Sequence, residues 1–87
     1  MTMVRRINLD VLKPHEPNIL EFASRLAEAS NDCDVAITVL EMDEHTETLN
    51  IVIEGEDIQF DRVEETIKSL GGSLHSIDEV LVSSTPD

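Results

Sequence analysis

Two kinds of apolar periodicity follow one another along the chain, and their order is what most constrains the fold. Ile7, Leu9 and Val11 occupy every second position within residues 3–12, which is the period of a half-buried strand. Apolar residues in the segment 19–29 recur instead at helical spacing. Prolines separate the two segments, and because a proline cannot donate to a strand ladder, a strand is predicted to end before a helix begins.

The same periods predict a β-hairpin and a second helix farther along the chain. Residues 35–40 and 49–54 each alternate, and the polar segment 41–46 between them is typical of a hairpin connection. Asp57 precedes the apolar stripe of the second helix and is predicted to cap it, because its side chain can accept from the first-turn amides. The glycine pair at 71–72 is predicted to end that helix.

A last strand is predicted over residues 73–82, followed by a frayed tail at 83–87. The order strand, helix, strand, strand, helix, strand is that of the split βαβ, or ferredoxin-like, plait of the α+β class. Right-handed crossovers place the four antiparallel strands in the order 4-1-3-2, with both helices on one face. Because 87 residues cannot bury two separate cores, residues 1–87 are predicted to form a single domain.

The charge balance excludes nucleic acid as a partner. The chain has 6 Lys and Arg residues against 19 Asp and Glu residues, a formal net charge of −13. Nucleic-acid binding requires a basic patch for the phosphates, usually with aromatic side chains for stacking, and the chain has two Phe and no Trp or Tyr. Such acidity suits a halophilic setting, a cytoplasm rich in salt, where ions screen the repulsion between carboxylates.

The cysteine count and the lengths of the apolar runs indicate where in the cell the protein is located. Cys33 is the one cysteine, so the sequence has neither a disulfide framework nor a paired-thiolate zinc site. No apolar run approaches the roughly 18 residues of a membrane span. The first ten residues also lack the charged, apolar and small-residue order of a signal peptide. We therefore expect a soluble cytoplasmic protein with no membrane partner.

The predicted plait brings the three histidines to one end of the sheet, because the first loop, the hairpin and the last helix–strand junction all lie there. His15, Glu16 and His75 are expected to be closest, since the first and last strands are adjacent and antiparallel. Imidazole nitrogen and carboxylate oxygen together suit zinc, iron or manganese. The alternative is that His15 only caps a strand end or a helix start in a rigid loop.

Asp10 and Asp78 are predicted to lie roughly opposite each other on the first and last strands. Like charges at such positions destabilise a sheet unless something lies between them. A hard cation would relieve the repulsion, and oxygen ligands, with Glu79 or Asn50 added, favour Ca²⁺. The alternative is that one aspartate points to solvent or meets a basic group of another subunit. Calcium is therefore the first cofactor expected, and a transition metal at the histidines is the second.

The uncovered face of the sheet is predicted to favour self-association. Leu12, Leu40 and Val52 would lie there among polar groups, with Arg6 across from Glu54. The second strand would also be an unpaired edge, and both features invite a second copy of the chain.

No arrangement of residues predicts an activated nucleophile. Ser76 and His75 are neighbours on a strand and so point to opposite faces of the sheet. Cys33 is expected at the other end of the sheet from all three histidines. The chain is therefore predicted not to be an enzyme.

Three segments carry a family resemblance: Leu-Asp-Val-Leu-Lys-Pro-His-Glu-Pro at 9–17, Ile-Glu-Gly-Glu-Asp at 53–57, and Gly-Gly-Ser-Leu-His-Ser-Ile-Asp-Glu-Val at 71–80. Together they resemble an archaeal family, domain of unknown function family 211, over nearly the whole chain. The resemblance implies a ferredoxin-like plait, ring-like homo-oligomers, association with calcium and no established activity.

Three functions are compatible with these features. The leading one is a small non-enzymatic homo-oligomeric module that binds a divalent cation or is regulatory. The alternative is an ACT-like module that senses small metabolites at subunit interfaces near the first loop, although a loop with two prolines and no glycine hinders close approach of a ligand. A metalloenzyme that uses the three histidines is the third.

Overall fold

The computed structural model describes residues 1–86 and has the six elements in the predicted order. They are β1 (Thr2–Pro14), α1 (Ile19–Ser30), β2 (Asp34–Met42), β3 (Thr46–Glu54), α2 (Phe60–Ser69) and β4 (Ser73–Ser84). The strands form one antiparallel sheet in the order β2-β3-β1-β4, which is the predicted order 4-1-3-2 seen from the other edge. The ferredoxin-like α+β fold is therefore confirmed.

The hydrophobic core lies between the helices and one face of the sheet. The alternation of β1 and β3 places every second side chain on that face, and the apolar stripes of α1 and α2 close over it. Full burial of one such side chain contributes about 1.5–3 kcal/mol to folding, so this layer supplies most of the driving force. The buried apolar side chains are Ile7, Leu9, Val11, Phe22, Leu26, Leu49, Ile51, Ile53, Ile58, Val63 and Ile67.

The central pair of strands is regular and longer than predicted. β1 pairs with β3 without a register shift, and Arg6 lies opposite Glu54 as expected. Pairing continues as far as Pro14 opposite Thr46, so both strands extend beyond their apolar alternation. The hairpin connection is accordingly reduced to residues 43–45. Polar side chains described below hold this extension in place.

The pairing of β1 with β4 is less regular and has register shifts at three places. One shift lies beside Asp10, whose partner is Ser76. The predicted opposition of Asp10 and Asp78 is therefore wrong, because Asp78 lies two positions farther along β4. The exposure of β4 leaves its register weakly marked in the sequence, and the pattern of an exposed edge strand does not reveal where register shifts occur.

β4 also extends into the segment predicted as a frayed tail. Ser84 pairs with Thr2, and the Thr85 amide donates to the Met1 carbonyl at 3.0 Å. This part of the chain is thus tied to the first residues of β1. Asp87, the last residue of the predicted tail, lies outside the described residues.

The second helix begins later than predicted. Its N-cap is Gln59, which makes no side-chain cap bond, so the predicted cap at Asp57 is wrong. Ile58 is buried and its amide donates to the Val4 carbonyl at 2.9 Å, which keeps this stretch alongside β1. The helix ends as predicted just before the glycine pair: Leu70 is its C-cap, and Gly71 follows with a φ of 86°, which favours glycine. Neither helix within residues 1–86 is long and apolar enough to cross a membrane.

Candidate functional site

A lysine without solvent exposure lies at the histidine end of the sheet. Lys13 is two residues beyond Val11, so its side chain lies on the same face of β1 as the core residues. It enters the layer beneath α1 and is 0% exposed. Its Nζ donates to the Pro14 carbonyl at 2.7 Å, the His15 carbonyl at 3.3 Å and Glu47 Oε1 at 3.1 Å. The Phe22 ring centroid lies 6.0 Å away. All three ammonium protons are therefore satisfied, as burial of this charge requires.

Glu47 of β3 joins this lysine to a histidine. The glutamate is 6% exposed and lies opposite Lys13 in the β1–β3 ladder. While Oε1 accepts from Lys13, Oε2 lies 2.9 Å from Nδ1 of His15. The hydrogen bond from His15 and the nearby Lys13 ammonium hold the pKa of the Glu47 carboxyl below its ordinary value, against the opposing effect of burial. The three side chains therefore form one polar cluster, called here the Lys13–Glu47–His15 cluster.

The ring of His15 has acceptors on both sides. Nδ1 faces the Glu47 carboxylate, and Nε2 lies 3.0 Å from the Asp43 carbonyl and 3.2 Å from the Glu44 carbonyl. Carbonyl and carboxylate oxygens only accept, so both contacts are satisfied at once by the doubly protonated imidazolium. The hydrogen bond with Glu47 is the largest cause that raises the pKa of His15 above its ordinary 6.5.

The turn that supplies these carbonyls is held by an aspartate. Asp43 Oδ1 accepts from the His45 amide at 2.9 Å and from the Thr46 amide at 2.8 Å. These bonds, with the Thr46 amide the largest contributor, lower the pKa of Asp43 below its ordinary value. The turn between β2 and β3 is therefore closed by its own residues, and it is joined to the first loop through His15.

The structure does not gather the predicted histidine and carboxylate ligands around one point. Both ring nitrogens of His15 are occupied on the β3 side of β1, whereas His75 lies on the β4 side, with Nδ1 3.7 Å from Asp10 Oδ2. Glu16 is exposed. Over residues 1–86, no three His, Cys, Asp or Glu side chains are arranged to hold a metal ion.

The predicted oxygen ligands lie close to one serine of β4. Asp10 is paired with Ser76 in the ladder, and the Ser76 hydroxyl donates to Asp78 Oδ1 at 2.7 Å. Asp10 is partly exposed and Asp78 is exposed. This arrangement offers two carboxylates near the surface of the β1–β4 pair.

The outer edge of β4 carries several exposed apolar side chains. β4 is an edge strand, and within residues 1–86 it pairs only with β1. Nearly all of its side chains are exposed. The apolar edge of β4 comprises Ile77, Val80, Leu81 and Val82, which are between 42% and 56% exposed. On the opposite edge of the sheet, Leu40 and Met42 of β2 are also exposed.

The Lys13–Glu47–His15 cluster was not predicted, although the sequence contains a signal for its Lys13–Glu47 ion pair. Lys13 continues the every-second-residue series of Val11, and Glu47 continues that of Leu49 in the same way. Once Arg6 is placed opposite Glu54, the antiparallel register sets Lys13 opposite Glu47. Opposite charges at the matching ends of two buried stripes therefore indicate a buried ion pair.

The fold and the surface define an α+β plait protein with a buried polar cluster at one end and an apolar edge strand. The chain belongs to domain of unknown function family 211, described as uncharacterized ArCR, whose profile matches residues 5–85. The uncharacterized protein MJ0319 of Methanocaldococcus jannaschii is 52% identical over 81 residues, which are 93% of this chain and 84% of that protein. The family resemblance of the three sequence segments is thus confirmed.

Proposed function

We propose that the chain is a small non-enzymatic cytoplasmic module that assembles with copies of itself through the outer edge of β4. The observation that carries the proposal is the apolar edge of β4, on a strand whose outer backbone groups have no strand partner within residues 1–86. A strand that adds to this edge removes apolar side chains from water and pairs the free backbone groups. Exposed edges of this length and composition are a liability for a chain that stays monomeric.

The second edge of the sheet supports a copy of the same chain as the occupant. β2 presents Leu40 at 62% and Met42 at 60% exposure. Each copy thus has two apolar edges made of different residues, and contact between the β4 edge of one copy and the β2 edge of the next is heterologous. Heterologous contacts repeat from copy to copy and close into a ring when the rotation permits. A ring-like homo-oligomer is therefore the form of assembly proposed.

The free energy gained from apolar burial in such a contact is moderate. If each half-exposed apolar side chain contributes about 1 kcal/mol on burial, four from β4 and two from β2 contribute about 6 kcal/mol. Association costs about 4–15 kcal/mol in lost freedom, so apolar burial alone leaves the balance undecided. Backbone hydrogen bonds of an added strand contribute about 0.5–1.5 kcal/mol each and favour assembly.

The net charge makes assembly sensitive to salt. Copies that each carry a charge of −13 repel one another. The Debye length falls from about 10 Å in 0.1 M salt to about 3 Å in 1 M salt. Carboxylates that face one another within about 10 Å across a contact are therefore screened much more strongly in 1 M salt than in 0.1 M salt. This supports the proposal of a halophilic setting.

Binding of a divalent cation is a second candidate, and the Asp10 and Asp78 carboxylates beside Ser76 support it. Ca²⁺ takes about 6–8 oxygen ligands, so two carboxylates need oxygens from water or from a second copy at the β4 edge. We propose Ca²⁺ ahead of a transition metal as the bound ion, because both ring nitrogens of His15 already contact oxygen atoms within the chain. The first loop also closes over the Lys13 ammonium, which leaves less room for a metabolite of the ACT-like kind.

Sedimentation velocity at micromolar protein in molar salt tests the assembly. We expect the wild type to be oligomeric and Val80→Asp to be monomeric, since the new carboxylate lies on the apolar edge of β4. Leu20→Asp is the matched control, because Leu20 is 76% exposed on α1 and belongs to neither apolar edge strand. A monomeric wild type, or a Val80→Asp variant that assembles as the control does, would contradict the proposal.

A further inference from the structure

We infer that His15 is a proton-dependent latch, which holds the β2–β3 turn against the β1–α1 loop when the ring is doubly protonated and releases it when the ring is neutral. The latch goes beyond the proposed assembly and does not depend on it. Its basis is the position of one ring between two sets of acceptors: the Glu47 carboxylate on Nδ1, and the Asp43 and Glu44 carbonyls on Nε2.

The geometry requires the proton because a neutral imidazole has one donor and one lone pair. If Nδ1 keeps its proton, the lone pair of Nε2 faces the carbonyls of Asp43 and Glu44. If Nε2 keeps its proton, the lone pair of Nδ1 faces the Glu47 carboxylate. Each tautomer therefore places a lone pair against an oxygen, and one side of the contact must open.

The turn is the side that opens. Glu47 keeps the Lys13 ammonium as a partner at 3.1 Å whatever the charge of His15. The turn keeps its own closure through Asp43, so release does not require it to unfold. The His15 side chain is 39% exposed, which gives protons access from solvent. Loss of the proton therefore separates two surface segments and leaves the core intact.

The charged surroundings favour the closed state and extend it to higher pH than an ordinary histidine would allow. Glu47 faces the ring from β3, and the carbonyls of the turn add negative potential, whereas Lys13 on β1 opposes a second positive charge. The balance raises the pKa of His15, with the Glu47 hydrogen bond as the largest cause. The titratable and charged groups of the elements around the ring are Lys13, Glu16, Asp43, Glu44, His45 and Glu47.

Carbonyl carbon chemical shifts test the latch directly, because they respond to the loss of an accepted hydrogen bond. In the full-length wild type, the shifts of Asp43 and Glu44 should change with the midpoint at which the His15 ring titrates, and that midpoint should exceed the ordinary value of about 6.5. In His15→Gln this transition should be absent. In His45→Gln, which removes the histidine of the turn itself, it should persist.

Three results would overturn the latch. The first is a wild type in which the turn carbonyl shifts stay constant while His15 titrates. The second is a His15 midpoint at or below the ordinary value. The third is a transition that disappears in His45→Gln, which would assign it to the turn histidine. The wild type and His45→Gln decide the question even if His15→Gln does not fold.

Discussion

Replacing Lys13 with Met should destabilise the fold strongly, because it removes a buried charge and leaves its partners behind. Methionine retains most of the apolar stem, so the loss is that of the ammonium. Two carbonyls, of Pro14 and His15, lose a donor, and Glu47 keeps only His15. Breaking a buried ion pair from one side costs about 3–5 kcal/mol. Since Glu47 retains one partner, we expect the lower end, about 3 kcal/mol.

Thermal and urea unfolding followed by circular dichroism, at fixed protein concentration, measure this loss. For a chain of this size about 3 kcal/mol corresponds to a fall in Tm of about 12–24 °C. Lys68→Met is the control, because Lys68 is exposed in the last turn of α2, where a cation contributes about 0.3–1 kcal/mol.

A double variant identifies the cause of the loss. If the unpaired Glu47 carboxylate is responsible, Lys13→Met with Glu47→Gln should be more stable than Lys13→Met alone. The reasoning is refuted if Lys13→Met unfolds like the Lys68 control. It is also refuted if the second substitution brings no recovery.

Four further predictions concern salt, the pH dependence of stability at His15 and at Glu47, and helix capping. The Tm of the wild type should rise from millimolar to molar salt because a net charge of −13 is screened, and a flat or falling Tm would count against this. In urea titrations, stability should fall as pH rises from 6.5 through the raised pKa of His15, and His15→Gln should not show this loss. It should also fall as pH drops from 4.5 through the lowered pKa of Glu47, a loss that Glu47→Gln should lack. Asn18→Ala should cost about 1 kcal/mol by urea unfolding, because the Asn18 side chain caps α1 through the Glu21 amide at 2.9 Å, and an unchanged midpoint would exclude that role.

The order of the elements was predictable because apolar periodicity and burial are directly linked. Leu9 on β1 and Ile51 on β3 are both fully buried and opposite each other, as the alternation indicates. The start of α2 was not predictable in this way. Asp57 has the chemistry of a cap, but the neighbouring Ile58 is drawn into the core and bonds to β1, so the helix starts after it.

The candidate site was less predictable, because it depends on the direction of side chains and on register. The sequence places the histidines at one end, and His15 does contact the turn that contains His45. It does not indicate that the ring of His15 turns toward β3 and Glu47. Nor does it indicate the register shifts of the β1–β4 pair, one of which lies beside Asp10 and its partner Ser76.

Amide hydrogen exchange along β4 is the most direct test of assembly through that strand. The wild type in molar salt should be compared with monomeric Val80→Asp under the same conditions, residue by residue. We predict that amides on the outer edge of β4 are strongly protected in the wild type and exchange rapidly in the variant, whereas the amides of β1 exchange alike in both. Equal exchange along β4 in the two proteins, with an oligomeric wild type, would show that the copies meet through another surface.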